Sequence, residues 1–211
     1  MDWTQSDVVG SRYAVPKFSP APIPLAVVEE ILGDAALIQS DINSRQWTVH
    51  IVSDANRRAI SESTLWRVGA DQWPLDLISE HGNGAVSERE NTKGGALCGA
   101  VGKESSDIER GQESLRDNLR FHGAPHVAFL FMPIIDDKVR PADDIGAYAH
   151  AFLQALQARN YHGVAQTEVT IFSDVVRDVL GVSDELELVL ALSFGTVDPD
   201  DPVDAAAVSH S

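Results

Sequence analysis

The chain has 211 residues, 44% of them hydrophobic and 23% charged, which is the make-up of a globular protein long enough to bury a real core. A formal net charge of −16 repels phosphate backbones and anionic lipid and argues against nucleic-acid and membrane partners. The single cysteine, Cys98, has no partner for an internal disulfide, which fits a reducing cytoplasm.

Met1-Asp2-Trp3-Thr4 has neither the basic nor the apolar stretch of a secretion leader, and Thr4 to Gly10 reads as a short helix. Prolines 20, 22 and 24 stiffen the link that follows Phe18, and Pro24 suits the first position of a helix. Val28, Ile31, Leu32 and Ala35 then recur at helical spacing, which predicts a buried helical face up to about Leu37. Ser40-Asp41-Ile42-Asn43-Ser44-Arg45-Gln46 is richer in side-chain donors and acceptors than a chain reversal needs, so it is a candidate ligand loop as well as a plain connector. Trp47, Val49 and Ile51 alternate with Thr48 and His50, the period of a half-buried strand. Asp54 is placed to cap a helix of roughly ten residues running through Arg57 and Ile60 toward Leu65. Residues 66–95 hold no sustained period, and a stretch of that length points to a lid or an inserted subdomain.

Ser105 or Ser106 to Arg120 predicts a polar, exposed helix stopping near Gly123. Pro125 to Met132 is the most apolar segment and predicts a central strand buried on both faces, while Pro133 keeps the run too short to cross a bilayer. Asp143 or Asp144 opens a helix whose wide stripe (Ile145, Tyr148, Ala149, Phe152, Leu153, Leu156) implies more than one packing neighbour, a subunit boundary being one way to supply it. Ser173 opens another helix, through Val176, Val179 and Leu180, which Gly181 stops. Leu186 to Phe194 predicts a second core strand, and the acidic, alanine-rich tail predicts no element. The sum is an α+β fold, a small mixed or antiparallel sheet flanked by helices.

Several familiar motifs fail on inspection. Gly102-Lys103 lacks the P-loop's first glycine, since Leu97 stands there, and Glu104 replaces the hydroxyl residue that binds magnesium. No G-x-G-x-x-G is present, and Ser193 has Ala191 where a hydrolase elbow needs glycine. Gly123 and Pro125 break the helix on which His122 and His126 would share a metal, so no metal site is expected. His50 and His150 are read as hydrogen-bonded core residues, and Cys98, with no cation closer than Lys103, as an unreactive small side chain.

Three segments together resemble the FMN-dependent nitroreductase family: Arg12-Tyr13-Ala14-Val15-Pro16-Lys17-Phe18 with Pro22-Ile23-Pro24; Ser40-x-x-Asn43-x-Arg45-x-Trp47; and the run from Gly163-Val164-Ala165-Gln166 through Asp174-x-Val176-Arg177-x-Val179-Leu180-Gly181 and Leu192-Ser193-Phe194-Gly195 to Asp198-Pro199-Asp200-x-Pro202-Val203. Phe121-x-Gly123-Ala124-Pro125 and Asp144-x-Gly146-x-Tyr148-Ala149 fit as well, so the likeness spans nearly the whole chain as one domain, 1–211, with 66–103 as its lid or insert. The resemblance implies a nitroreductase-like fold in an intertwined homodimer, with FMN in a groove between two chains. It further implies NAD(P)H as electron donor, hydride transfer through the flavin N5, and a nitroaromatic, quinone-like or similar small molecule as acceptor.

By the same resemblance, Arg12 meets the FMN phosphate, with Tyr13 and Ala14 beside it. Ser40 and Asn43, with Arg45 next to them, come from the other chain, and Val164, Ala165 and Gln166 lie near the flavin N5 edge. No catalytic acid or base is nominated. Tyr13, Ala14 and Pro16 depart from the family's basic opening, Arg45 stands where glutamine is usual, and Asp204-Ala205-Ala206-Ala207 replaces a basic phosphate ligand. Two other functions stay open at this point: a flavin-dependent dehydrogenase in a biosynthetic pathway, and a relative that has lost FMN and serves as a binding or partner subunit.

Overall fold

The computed structural model describes residues 17–38, 46–70, 107–136 and 138–198. The helix expected over 4–10, the loop 39–45, Cys98 and most of the stretch read as a lid lie outside them. The elements in chain order are α1 (Leu25–Ala35), β1 (Thr48–Ser53), α2 (Asp54–Gly69), α3 (Asp107–Leu119), β2 (His126–Pro133), α4 (Val139–Gln157), β3 (His162–Gln166), α5 (Ser173–Leu180) and β4 (Leu186–Gly195). The four strands form one sheet in the order β1-β2-β4-β3, every neighbouring pair antiparallel.

Alternation along the strands sends side chains to two covered faces. Ala128, Leu130, Met132, Leu192 and Phe194 point to the side of α1 and α4, where Val28, Ile31, Phe152 and Leu156 meet them. Val127, Phe129, Phe131 and Ala191 point the other way, against Ile60 of α2, Leu119 of α3 and Val176 of α5. β2 is therefore buried along almost its whole length, as its composition predicts. A bulge sits where Leu130 pairs with Leu190 but Phe131 pairs with Leu188. The extra residue, Val189, lets Leu188 and Leu190 serve opposite faces although only one position separates them.

Element boundaries differ from the sequence expectation in instructive ways. Pro24 is the residue before α1, extended at ψ 137, and its carbonyl accepts the N–H groups of Val27 and Val28. Asp54 does not cap α2. Ser53 precedes that helix and makes no side-chain cap bond, because its hydroxyl is engaged by His126 at 2.6 Å. α2 also runs on to Gly69, so the first residues of the supposed lid are helical. α4 begins at Val139, with Pro141 in its first turn where no intrahelical donor is required, and Asp144 is buried inside the helix rather than capping it. The wide stripe of α4 does meet several neighbours, but within the chain: α1 on one side, β2, β3 and β4 on the other. These in-chain neighbours bury the stripe, so its width bears out the expected multiple packing. Gly181 ends α5 in the left-handed conformation at φ 65, as predicted.

Candidate functional site

Of the nine residues expected to surround a cofactor, Arg12, Tyr13, Ala14, Ser40, Asn43 and Arg45 lie outside the described residues. Val164, Ala165 and Gln166 stand together on β3, the strand that the sequence did not reveal. β3 is an edge strand: β4 holds one side through the pairs Val164–Ser193, Ala165–Leu192 and Gln166–Ala191, and no described strand holds the other. Ala165 is exposed, Val164 packs partly on Phe18 and Ala124, and Gln166 is 2% exposed.

The Gln166 side chain turns into the protein. Its Nε2 donates to the backbone carbonyl and to Oδ1 of Asn118 near the end of α3, both at 3.0 Å, and its Oε1 accepts from the hydroxyl of Ser193. Asn118 Nδ2 in turn donates to the Ser114 carbonyl at 3.0 Å. The amide is fully engaged, so β3 offers a ligand its backbone groups and the methyl of Ala165. A flat heteroaromatic ring with donors and acceptors along one edge fits such a surface, because small side chains allow close approach and unpaired strand groups supply the bonds.

The segment just after the predicted phosphate motif is tied down beside β4. Phe18 bridges Val197, the Ser19 N–H reaches the Thr196 carbonyl at 2.8 Å, the Phe18 N–H reaches the His122 carbonyl at 2.9 Å, and Lys17 pairs with Asp198 at 3.1 Å. The loop that carries Ser40, Asn43 and Arg45 is different. The described residues before it end at Ile38, three past the end of α1, and those after it begin at Gln46, two before β1. β1 and β3 are opposite edges of the sheet, three strand spacings or roughly 14 Å apart. Within one chain, therefore, β3 and the end of β1 that receives this loop are kept apart.

The histidines also sort differently from expectation. His150 is exposed on α4, and His50 is half-buried, edge-on to the Phe131 ring at 5.5 Å. The buried, bonded histidine is His126, stacked on Phe194 with Ser53 at Nδ1 and the Ile23 N–H at Nε2. Both ring nitrogens are thus taken by protein groups. Burial lowers the pKa of His126, Arg57 lowers it further, and Asp54 opposes this without cancelling it. Asn118 and His126 were missed because a lone polar residue in a sequence carries no sign of its partners. Only the apolar run around His126 hinted that it is buried.

A model described as the Nitroreductase family matches residues 9–196. "Nitroreductase NfnB" of Mycolicibacterium smegmatis is 31% identical over 206 residues, covering 96% of this chain and 84% of that protein. A "4-nitrobenzoate reductase" of Pseudomonas putida is 25% identical over 194 residues, with 90% and 84% covered. The crystal structure of the FMN-dependent nitroreductase NfnB from Mycobacterium smegmatis in complex with NADPH superposes with a TM-score of 0.85 at 28% identity, over 97% of this chain and 91% of that one. An FMN and NADPH-dependent NfnB from sphigopyxis sp. strain HMH gives a TM-score of 0.89 at 21% identity, over 99% and 95%, a likeness of fold.

Proposed function

This chain belongs to the nitroreductase family, and from that membership we propose that it is an FMN-dependent enzyme that uses NAD(P)H to reduce nitroaromatic or quinone-like small molecules, acting as a homodimer. The observation that supports the proposal is the free edge of β3, where the exposed Ala165 stands beside the fully engaged Gln166. In this reading β3 comes from one copy, and Ser40 and Asn43 come from the second, as the family likeness implies. The relatives' names, FMN-dependent and NADPH-bound among them, supply the identity of the ligand.

When bound, FMN would supply the two-electron chemistry between NAD(P)H and the acceptor. The protein's part is to hold, orient and shield. Arg12 would hold the phosphate, its guanidinium suited to a charge-assisted contact, with Arg45 as a candidate second cation. Ser40 and Asn43 of the second copy would donate and accept along the ring system, and Val164 and Ala165 would line its edge.

The test is a visible spectrum and a solution mass measured on one preparation. A stoichiometric flavin spectrum on a dimer is expected, with NADH or NADPH bleaching it and a nitroaromatic restoring it. Protein that stays colourless after incubation with FMN would overturn the cofactor and favour the partner-subunit function. A monomer that retains full FMN would overturn the two-edge arrangement.

A further inference from the structure

Resting on that reading, we propose that Gln166 is a positioning residue whose buried amide, clamped between Ser193 and Asn118, sets the angle at which the β3 edge meets the flavin. The side chain itself does not reach the cofactor, because both of its N–H groups and its oxygen are engaged inside the protein. Its orientation is fixed by what surrounds it. Flipping the amide would turn its oxygen toward two acceptor oxygens of Asn118. Asn118 is held in turn, since its own Nδ2 is bonded to Ser114 and its Oδ1 must therefore face Gln166.

The result is one directional chain of bonds. The Ser193 hydroxyl donates to Gln166, Gln166 donates to Asn118, and Asn118 donates to the Ser114 carbonyl. It links β4, β3 and α3 on one buried face of the sheet, where such a chain is stiffer than its separate bonds. Gln166 also satisfies a carbonyl in the last turn of α3, where intrahelical donors run out. β3 is five residues long and paired on one side only, so an anchor at its end has unusual leverage over the direction of its free edge. Ala165, next to the anchor, is the exposed residue whose backbone that leverage aims. Asn118 thereby influences the cofactor without touching it.

The experiment uses apo protein titrated with FMN, followed by flavin fluorescence and by the midpoint potential of the bound flavin, with the melting temperature of each apo variant measured alongside. Ser193→Ala, the mildest change, and Gln166→Met, close in shape but without the amide, are each expected to weaken FMN binding about tenfold and to shift its visible band and potential, beyond any change in apo melting. Gln166→Glu loses its donor until the carboxyl protonates, so its affinity relative to wild type should recover as pH falls. Variants that melt lower but bind FMN with wild-type affinity, spectrum and potential would overturn the proposal and leave a purely structural network. Wild-type protein that binds no FMN would instead overturn the proposed function and remove this inference with it. Should Gln166→Met fail to fold, Ser193→Ala decides alone.

Discussion

The Nε2 of His126 accepts the backbone N–H of Ile23 at 2.8 Å, so the first residue of β2 holds the proline-rich link where it turns into α1. A backbone N–H can only donate, so Nε2 carries no proton, and the neutral ring must carry its proton on Nδ1 and donate it to Ser53 at 2.6 Å. One imidazole therefore joins the start of α1, the end of β1 and the start of β2 in a single tautomer.

Replacing that ring by one of similar size without nitrogens, His126→Phe, keeps the stack on Phe194 and leaves the Ile23 N–H unsatisfied in a buried position. The expected cost is about 1–3 kcal/mol, the desolvation of a stranded donor. Urea unfolding checks it: the midpoint should fall with the m-value unchanged. A midpoint within error of wild type would show that the bond holds nothing.

The same ring makes the fold sensitive to acid. Burial lowers the folded pKa of His126 and of His162, and of the half-buried His50 to less effect on stability because water still reaches it. Their folded values lie below the unfolded value of about 6.5, so between the two the unfolded chain binds more protons. Stability is therefore complete above about pH 6.5 and declines as pH falls toward the folded values, by at most about 1.4 kcal/mol per pH unit for each group. Urea melts at a series of pH values from neutral to mildly acidic should show this slope, and His126→Phe should flatten it. An unchanged slope in the variant would assign the acid sensitivity elsewhere.

The parts of the fold legible in the sequence were those with a dominant period. β2 announced itself by unbroken apolar character, α1 by the spacing of Val28, Ile31 and Ala35, and the end of α5 by Gly181. β3 did not, because His162-Gly163-Val164-Ala165-Gln166 is short, has a glycine and ends in a residue that is polar yet buried. Its strand state comes from pairing with β4, a tertiary effect that no local pattern reports. The candidate site was legible only through family likeness. Nothing in the sequence links Gln166 to Asn118 or Ser193, since hydrogen bonds between residues so distant in the chain exist only once the sheet and α3 are assembled. The wide stripe of α4 announced several neighbours without naming them, for a related reason. Amphipathic width counts neighbours without saying whether they belong to the same chain, and here α1 and the sheet supply them.

A surface tether between α1 and α4 gives a prediction about salt. Arg159 contacts Asp34 at 2.8 Å and Glu30 at 3.3 Å and donates to the Ala155 carbonyl at 3.1 Å. Desolvation works to lower its pKa, but the hydrogen bonds and charges of Asp34 and Glu30 outweigh that and raise it. Glu30 and Asp34 are four apart on one helix, so removing the cation also leaves two like charges facing each other. Both carboxylates are at least half exposed, which limits the effect: Arg159→Met should cost about 0.5–1 kcal/mol in low salt and less at high ionic strength. Melts with and without added salt test it, and a loss independent of salt would assign the effect to packing of the arginine stem.

The closest approach behind the candidate site is at Gly163. A Cβ added there would lie 2.6 Å from Cδ2 of Leu153 and 2.9 Å from Cδ1 of Leu156, both on α4, with the Ser193 carbonyl at 3.4 Å. Leu153 and Leu156 are buried, so their methyl groups have little room to retreat and β3 must shift instead. Gly163→Ala is expected to destabilise by about 1–3 kcal/mol through overpacking. Because Ala165 follows two residues later on the same short strand, the shift should also weaken FMN binding. The clash makes a stricter prediction through a double-mutant cycle. Leu153→Val shortens the side chain that is struck first, so its own cost and that of Gly163→Ala should fall short of additivity when combined, by about 0.5 kcal/mol or more. Urea midpoints of the four proteins measure the coupling. Strict additivity would mean that the added methyl is accommodated away from Leu153, and that β3 is not seated on α4 by this glycine.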